Sequence, residues 1–448
     1  MPQEPYQRCS QAIFEAWLKP KLEANPLVET HFGWKFESLV ESDTHVECKL
    51  TDQTGKQHIV RSQYVIGCDG AGSKVREAIG SKMEGGPVPQ AMHLIHFKSR
   101  DLTRLHKQGQ FWHIFFTSGA IIIAQDEVDT WTIHRPVPVD TDVSGIDPRE
   151  TIYQALGGEC APFEIEIDDI LITNVWRPTM ALADKYASVG KRVFISGDAA
   201  HQNIPTGGYG MNTAVGDSFD IGWKLAAVLT GHGGPQLLAS YETERRPVGA
   251  RNVEHCGMHF LVHAKFLGWC SESPQLATAA TSEGQALRDK VAEHVRNHNG
   301  ENTDHGIELG YRYNGSPVII GDSNVEEPVW EAGRYVPSTW PGARAPSVFL
   351  KTQPQTSIFD LFGTGAEFTL VDLSVAGEYA KAFAAAAARA EPKLPLKTLH
   401  LPNEPHLRRV WERDAVLVRP DDHVAWRAPE EQAAVVDADA VLATAAGW

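Results

Sequence analysis

Two segments of the chain place an aspartate directly after a short apolar strand, with glycines close behind. The longer one runs from Val193 to Asn212 and leads into a predicted helix. A carboxylate at the carboxyl end of a strand lies where open α/β sheets bind ligands. Glycines let the backbone approach a flat ligand, and the free N–H groups of a helix start favour negative charge. The candidate binding residues of this segment are Gly197, Asp198, Pro205, Gly207, Gly208, Gly210, Met211 and Asn212.

This arrangement suits a flavin, because the pyrimidine edge of a flavin becomes negatively charged on reduction. The alternative is an ordinary strand–turn–helix connection in which the glycines only form a tight turn. The second aspartate, Asp69, is followed by Gly70 and by a helix that starts near Ser73. For Asp69 the alternative is a structural salt bridge with Arg76. The two aspartates are far enough apart in sequence for a whole β-rich domain to lie between them.

Short strands and amphipathic helices must position these residues. Apolar residues at helical spacing predict one helix after Ser10 and another from Asn212 to about Leu229. One apolar stripe of the second helix consists of Val215, Phe219, Gly222, Ala226 and Leu229. Runs of branched and aromatic residues predict strands at Phe36–Val40, His45–Leu50, His58–Arg61, Tyr64–Gly67, His93–Phe97, Phe111–Thr117, Ala120–Ala124, Thr130–His134, Ile170–Trp176 and Arg192–Ser196.

The composition excludes several classes of function. The 448 residues carry a net charge of −16 and no basic run, which argues against nucleic acid or an anionic membrane as a partner. The six cysteines form no C-x-x-C pair and no Cys/His cluster with zinc spacing, so no metal site is predicted. No apolar run is long enough to cross a bilayer, and the first residues lack the pattern of a signal peptide. We therefore expect a cytoplasmic protein.

Several motifs together resemble the class A flavoprotein monooxygenases, which share the para-hydroxybenzoate hydroxylase fold. The segments around Asp69-Gly70 and Gly197-Asp198 are similar to the two internal flavin-binding motifs of that family. Arg8–Glu15 resembles its R-x-S-Q-x-x-x-E helix, and Tyr241–Pro247 resembles its Y-E-x-E-R-R-P helix. The resemblance extends over nearly the whole chain.

The C-terminal part resembles the thioredoxin-like third domain of the phenol hydroxylase branch, at Pro341–Pro346 and Leu417–Asp421. The resemblance implies a mixed α/β and α+β fold, with a β-sheet substrate domain inserted into an incomplete FAD/NAD(P)-binding Rossmann-like domain. No cysteine follows Cys270, which excludes redox activity of the thioredoxin-like domain. The expected boundaries are 1–87 and 178–300 for the FAD-binding domain, 88–177 for the substrate domain, 301–340 for a linker and 341–448 for the thioredoxin-like domain.

The resemblance also implies roles for single residues. Asp198 would bond a ribityl hydroxyl of FAD, and the backbone from Pro205 to Asn212 would face the flavin ring and the pyrophosphate. Gln11 would lie near the ribityl chain or the ring. Asp69 and Gly70 would belong to a motif associated with both FAD and NADPH. The substrate pocket would be lined by Phe111, Trp112, His113 and Phe115, for which ordinary sheet packing is the alternative.

The implied activity is hydroxylation of a phenolic or polycyclic aromatic substrate with FAD, NADPH or NADH, and O₂. The protein would hold the flavin, exclude water and stabilise developing charge, so no catalytic side chain is named. The alternatives are flavin epoxidation or Baeyer–Villiger oxidation, a catalytically inactive binding or scaffold protein, and a folate- or nucleotide-binding module. The expected partner is a small aromatic molecule, and the assembly considered is a homodimer.

The sequence departs from the family in one respect. The opening strand and the G-x-G-x-x-G turn, which hold the ADP half of FAD, have no counterpart, because Gly67–Gly72 and Gly363–Gly365 differ in spacing or context. Either the sequence is a fragment of an ordinary monooxygenase, or the short chain is complete and binds FAD weakly or not at all. We favour the first explanation, since a sheet without its central strand exposes apolar edges.

Overall fold

The computed structural model describes residues 7–109, 111–158, 160–323, 325–352, 354–430 and 436–448. Its N-terminal region contains two helices, an antiparallel meander, the first strand of a parallel pair and one strand of a further sheet. Helix α1 begins after Ser10, as its apolar spacing predicts, but it has no buried residue. The elements of this region are α1 Gln11–Glu23, β1 Lys35–Glu41, β2 Val46–Thr51, β3 Gln57–Ser62, β4 Val65–Gly67, α2 Lys74–Ala78 and β5 Met83–Pro87.

An antiparallel sheet of five strands follows, in the order β10-β6-β9-β8-β7. Its elements are β6 Ala91–Lys98, β7 His113–Phe115, β8 Ile121–Ala124, β9 Thr130–Val137, α3 Pro148–Gly157 and β10 Asp169–Trp176. Alternate side chains of the sheet pack against α3 in one apolar core that includes Ile95, Phe97, Ile122, Trp131 and Ile152. The strands agree with the sequence prediction, whereas α3 was not predicted.

The chain then returns to the parallel pair and continues as a helical region. Strand β12 pairs in parallel with β4, and β11 pairs antiparallel with both β5 and β13. Strands β5 and β11 thus join the two ends of the predicted insert, whose boundaries stay predictions. The elements are β11 Thr179–Ala183, β12 Val193–Ile195, β13 His201–Gln202, α4 Tyr209–Leu229, α5 Pro235–Glu272, α6 Pro274–Thr278, α7 Ser282–Asn297, α8 Gly300–Thr303 and α9 His305–Leu309.

The C-terminal region forms a four-stranded sheet in the order β15-β14-β16-β17, in which only β14 and β15 are parallel. Its elements are β14 Phe368–Asp372, α10 Glu378–Arg389, β15 Leu396–His400, α11 Pro405–Trp411, β16 Ala415–Val418, β17 Val424–Arg427 and α12 Ala438–Ala445. This βαβαββα order is that of a thioredoxin-like domain. None of the described helices combines the length and the apolar composition needed to span a bilayer.

Helix α4 turns its charged side inward. The apolar stripe predicted from the sequence lies on the exposed side, where Val215 and Phe219 are 55% and 57% exposed. On the opposite side Asp217, Asp220 and Lys224 are buried. Burial of charge is costly unless each group is paired, so the partners of these side chains must hold the helix in place.

The partners come from α5 and from the thioredoxin-like domain. Glu244 accepts hydrogen bonds from Lys224 and from Arg419, each at 2.6 Å, and Arg419 also pairs with Asp421. Burial raises the pKa of the Glu244 carboxyl, but Arg419 and Lys224 outweigh it and lower the pKa to about 2. The cluster thus contains two cations and three carboxylates: Lys224, Arg419, Glu244, Asp421 and Asp220. Burial raises the pKa of Asp220 to about 7. This charge cluster joins α4, α5 and the thioredoxin-like domain.

Replacing Arg419 with methionine should destabilise the protein strongly, because Glu244 would lose two of its hydrogen bonds inside the core. We expect the free energy of unfolding, measured by urea denaturation, to fall by about 3–5 kcal/mol. The matched control is Arg389→Met, since Arg389 forms an exposed ion pair with Asp439 and should contribute less than about 1 kcal/mol. Equal effects of the two substitutions would contradict the role given to the cluster.

Candidate functional site

The Gly197-Asp198 segment forms a tight turn at the carboxyl end of β12. Gly197 has a φ of 62°, and its N–H donates to the Asp217 carboxylate at 3.2 Å. The positive φ favours glycine, and a Cβ at Gly197 would also be crowded, since it would lie 3.1 Å from the Cβ of Ala214. Asp198 is exposed and forms no hydrogen bond or ion pair within the described part of the chain. Its carboxylate is therefore available to a ligand.

The glycine-rich loop lies between this turn and α4. Gly207 and Gly208 have φ values of 82° and 68°, which only glycine adopts readily. A Cβ on Gly207 would meet the Tyr209 ring at 2.5 Å, whereas a Cβ on Gly210 would meet no atom within 4 Å. The amide of Asn212 donates to the carbonyl of Gly208 at 2.8 Å and fixes the helix start. The loop is therefore closely packed against Tyr209 at Gly207 and open at Gly210.

Sequence reasoning missed Asn203, which lies between the turn and the loop. Both polar atoms of its amide are buried and have no hydrogen-bond partner among the described residues. Buried polar groups without partners are rare in native proteins, so this amide indicates a ligand. An unpaired carboxylate at Asp198, an open glycine loop and an unsatisfied amide together fit the ribityl and ring portions of FAD. An amide residue between two ligand motifs was the signal that could have found Asn203.

The Asp69 segment packs beside the same turn. The Asp69 carboxylate accepts the N–H of Val75 at 3.1 Å and so caps α2. Arg76 does not pair with Asp69. Its guanidinium donates to the carbonyls of Ala199 at 3.0 Å and Ala71 at 2.9 Å. The structural salt bridge considered from the sequence is thus wrong, and Arg76 instead ties the two predicted flavin motifs together.

Four other predicted residues lie at the surface or beside open space: Gln11, Gly70, Pro205 and Met211. Gln11 is the first residue of α1 and donates to the Glu15 carboxylate at 2.6 Å. The segment before it is held on the antiparallel sheet, because the Arg8 guanidinium lies 4.5 Å from the centre of the Trp112 ring. A Cβ on Gly208 would in turn lie 3.9 Å from Trp112. The sheet and the glycine loop therefore meet at this tryptophan.

A cavity of about 240 Å³ lies between the antiparallel sheet and the helical region. Its wall includes His113, Phe115, His259, His263, Phe266 and Glu301. Two of the four predicted pocket residues, His113 and Phe115, are thus part of it. Trp112 lies at the glycine loop instead, and Phe111 packs into the core of the sheet, with its ring centre 6.2 Å from that of Trp131.

One carboxylate connects this cavity to the glycine loop. Glu301 Oε1 accepts the N–H of Gly207 at 3.2 Å, and Oε2 lies 2.5 Å from Nε2 of His263. Burial raises the pKa of the Glu301 carboxyl, but the hydrogen bond and charge of His263 and the Gly207 N–H outweigh it and keep the pKa below its usual value. Burial lowers the pKa of His113. The cavity thus contains an ionised carboxylate and a neutral His113 ring at neutral pH.

The part of α5 around Tyr241–Pro247 packs against the turn at Gly197 and is hydrogen-bonded to its neighbours. The Tyr241 hydroxyl donates to the carbonyl of Ile195 at 2.8 Å. Nε of Arg245 donates to Asp217 Oδ1 at 2.7 Å, and Asp217 Oδ2 lies 2.8 Å from Nε2 of His201. His201 is fully buried and is therefore a structural partner of Asp217. This motif positions the candidate site and does not line it.

Comparison with known protein families identifies the class of protein. Residues 2–256 match the FAD binding domain family, and residues 338–448 match the family described as aromatic-ring hydroxylase, C-terminal. The chain belongs to the FAD-dependent aromatic-ring hydroxylases. This membership confirms the resemblance seen in the motifs, the mixed α/β fold and FAD as the cofactor.

Individual relatives agree with this assignment. The FAD-dependent monooxygenase apdD of Emericella nidulans is 42% identical, over 100% of this chain and 73% of its own length. The 4-methyl-5-nitrocatechol 5-monooxygenase of a Burkholderia species is 30% identical, over 92% of this chain and 74% of its own. Among solved structures, the flavin-dependent monooxygenase PieE in complex with FAD and substrate has a TM-score of 0.83 and 29% identity, over 97% of this chain and 79% of that one.

Replacing Asp198 with asparagine should weaken FAD binding, because the variant loses the charge of an acceptor that has no internal partner. Hydrogen bonds to charged groups contribute about 1–3 kcal/mol, so we expect the Kd for FAD to rise roughly 5- to 150-fold. Titration of the protein with FAD, followed by flavin absorbance or fluorescence, measures this change. Asp140→Asn is the control, since that carboxylate is 98% exposed. An unchanged Kd would remove Asp198 from the site.

Proposed function

We propose that this chain hydroxylates a phenolic or polycyclic aromatic substrate, with FAD as the cofactor, NADPH or NADH as the reductant and O₂ as the oxygen source. The observation that carries the proposal is the cavity beside the glycine loop. It is lined by aromatic rings and histidines and is connected to Gly207 through Glu301. A flat aromatic ring in this cavity can stack on Phe115 and Phe266, and the histidines and Glu301 supply polar groups that can fix its orientation.

Each part of the site has a task in this reaction. Asp198 and Asn203 would hold the ribityl chain, and the open side of the loop from Gly207 to Gly210 would receive the ring of the cofactor. FAD, when bound, supplies electron transfer from NAD(P)H and the activation of O₂. Phe115 and Phe266 would exclude water from the substrate and orient its ring, which raises the effective concentration of the reacting carbon. The positive end of α4 favours negative charge at the loop.

The relatives support a phenolic substrate. The Burkholderia relative carries the name of a nitrocatechol monooxygenase, and catechols are phenols with two hydroxyl groups. We further propose that the protein is cytoplasmic and forms a homodimer, and that its domains have the boundaries expected from the sequence.

Product analysis tests this function. The FAD-loaded chain is incubated with a set of phenols, O₂ and either NADPH or NADH, and we expect substrate-dependent oxidation of the reductant together with a product that carries one added ring hydroxyl. An epoxide product would indicate flavin epoxidation in place of hydroxylation, and an ester product would indicate Baeyer–Villiger oxidation. Bound flavin with no product from any phenol would contradict the proposal.

Filling the cavity tests where the substrate binds. Val262 lies on the cavity wall, and tryptophan at this position should raise KM or abolish turnover because it occupies the space of the substrate ring. Binding of FAD should stay unchanged, since Val262 is not part of the glycine loop. The control is Val128→Trp, at an exposed turn of the antiparallel sheet. Normal KM and kcat in Val262→Trp would exclude this cavity as the substrate site.

A further inference from the structure

His263 and Glu301 form a hydrogen-bonded pair in the wall of the cavity. The distance between Nε2 of His263 and Oε2 of Glu301 is 2.5 Å, and the side chains are 14% and 19% exposed. The Phe115 ring centre lies 4.3 Å from that of His263, so the imidazole borders the space given to the substrate ring. The remaining ring nitrogen, Nδ1, is buried and has no hydrogen-bond partner among the described residues.

The hydrogen bond to Glu301 determines which nitrogen of His263 carries the proton. An ionised carboxylate can only accept hydrogen bonds, and the pKa of Glu301 is held below its usual value by His263 and Gly207 despite burial. Nε2 of His263 must therefore donate to Glu301. In the neutral imidazole this leaves the lone pair on Nδ1, the nitrogen without a partner. A carboxylate that orients an imidazole in this way also stabilises the cation formed when the imidazole accepts a proton.

We infer that His263 is the proton acceptor for the hydroxyl group of a phenolic substrate, and that Glu301 is its positioning residue. This inference rests on the proposed function. In the step, the O–H bond of the phenol breaks, an N–H bond forms at Nδ1, and the products are a phenolate and an imidazolium paired with Glu301. The proton returns to the oxygen when the product leaves. No oxidant or reductant takes part, and ionisation makes the ring carbons more electron-rich toward an oxygen donor.

The surroundings favour this transfer. Besides His263 and Glu301, the titratable residues in the cavity wall are His113, His259 and His298. Nδ1 of His298 lies 2.8 Å from the carbonyl oxygen of His294. Burial lowers the pKa of His113 and of His259. Both rings are therefore neutral at neutral pH and do not repel a new positive charge on His263. His259 is further held by the Tyr209 hydroxyl at 2.9 Å and faces Asp304 at 3.9 Å. Among the described groups around the cavity, His263 thus combines an orienting carboxylate with a free acceptor nitrogen.

Binding of 4-nitrophenol tests the inference without turnover, because its phenolate has a strong visible absorption band. The FAD-loaded chain is titrated with the probe over a range of pH without NAD(P)H, and difference spectra give the apparent pKa of the bound probe. We expect this pKa to lie about one unit below that of the free probe, a tenfold shift in ionisation. In His263→Gln the shift should vanish, and in Glu301→Gln it should be smaller. A probe that does not bind, or an unchanged pKa in His263→Gln, would overturn the inference.

Turnover provides the second readout and a matched control. With a weakly acidic phenol, kcat of His263→Gln should fall about 10²- to 10⁴-fold, the usual contribution of a general base. For a nitrophenol that is already ionised at the assay pH, kcat of His263→Gln should stay near the wild-type value. The control is His305→Gln, since His305 and Glu308 form a similar pair on the surface and the variant should match the wild type. Equal losses for both phenols in His263→Gln would contradict the role as proton acceptor.

The two proposals fail in different ways. If the wild-type chain ionises the bound probe but hydroxylates no phenol, the proposed function fails and the assignment of His263 stands. If the wild-type chain hydroxylates phenols and His263→Gln does so with the same pH profile, the assignment fails and the proposed function stands.

Discussion

Asp217 and Glu244 are carboxylates that the fold buries completely, and each remains charged because cations and N–H groups surround it. Arg245 and His201 pair with Asp217, and they lower the pKa of Asp217 although burial raises it. The same carboxylate accepts the N–H of Gly197. The turn that presents Asp198, the candidate flavin-binding residue, therefore depends on this buried group. Glu244 directly precedes Arg245 in α5 and is the point at which the thioredoxin-like domain joins the charge cluster.

The two carboxylates explain why α4 faces the way it does. Its charged residues are buried against α5 and the thioredoxin-like domain, where the Trp223 ring also meets Phe368 with centres 6.0 Å apart. Turning the apolar stripe inward instead would leave these charges in solvent and break the support of the Gly197 turn. The exposed stripe that includes Val215 and Phe219 is therefore a consequence of where the charges must lie. The thioredoxin-like domain, which has no flavin motif, is joined to α5 through the hydrogen bonds of its buried Arg419 to Glu244.

The sequence predicted most of the fold and part of the site. All ten predicted strands form at least in part, because alternating or continuous runs of branched residues fit a sheet. Strand β5, with its two glycines, was not predicted, because it has little strand propensity and is created by pairing with β11. The apolar pattern of the C-terminal residues predicts a last helix from about Pro429, whereas the observed helix α12 begins at Ala438; residues 431–435 lie outside the described chain. Asp198 and the glycine loop follow from local spacing. His263 and Glu301 could not be found in this way, since tertiary packing alone brings them together. The position of Asn203 between the two motifs was visible in the sequence, but only the structure shows that its amide is unsatisfied.

We infer that Asp217 positions the candidate flavin site without touching the ligand. Titration with FAD of Asp217→Asn, beside Glu244→Gln, tests it most directly. Both variants lose a buried charge, but only Asp217 holds the Gly197 N–H. We expect the Kd for FAD to rise about tenfold or more in folded Asp217→Asn, in keeping with the loss of a charged hydrogen bond, and to stay near the wild-type value in folded Glu244→Gln. Equal affinity in the wild type and in folded Asp217→Asn would contradict it.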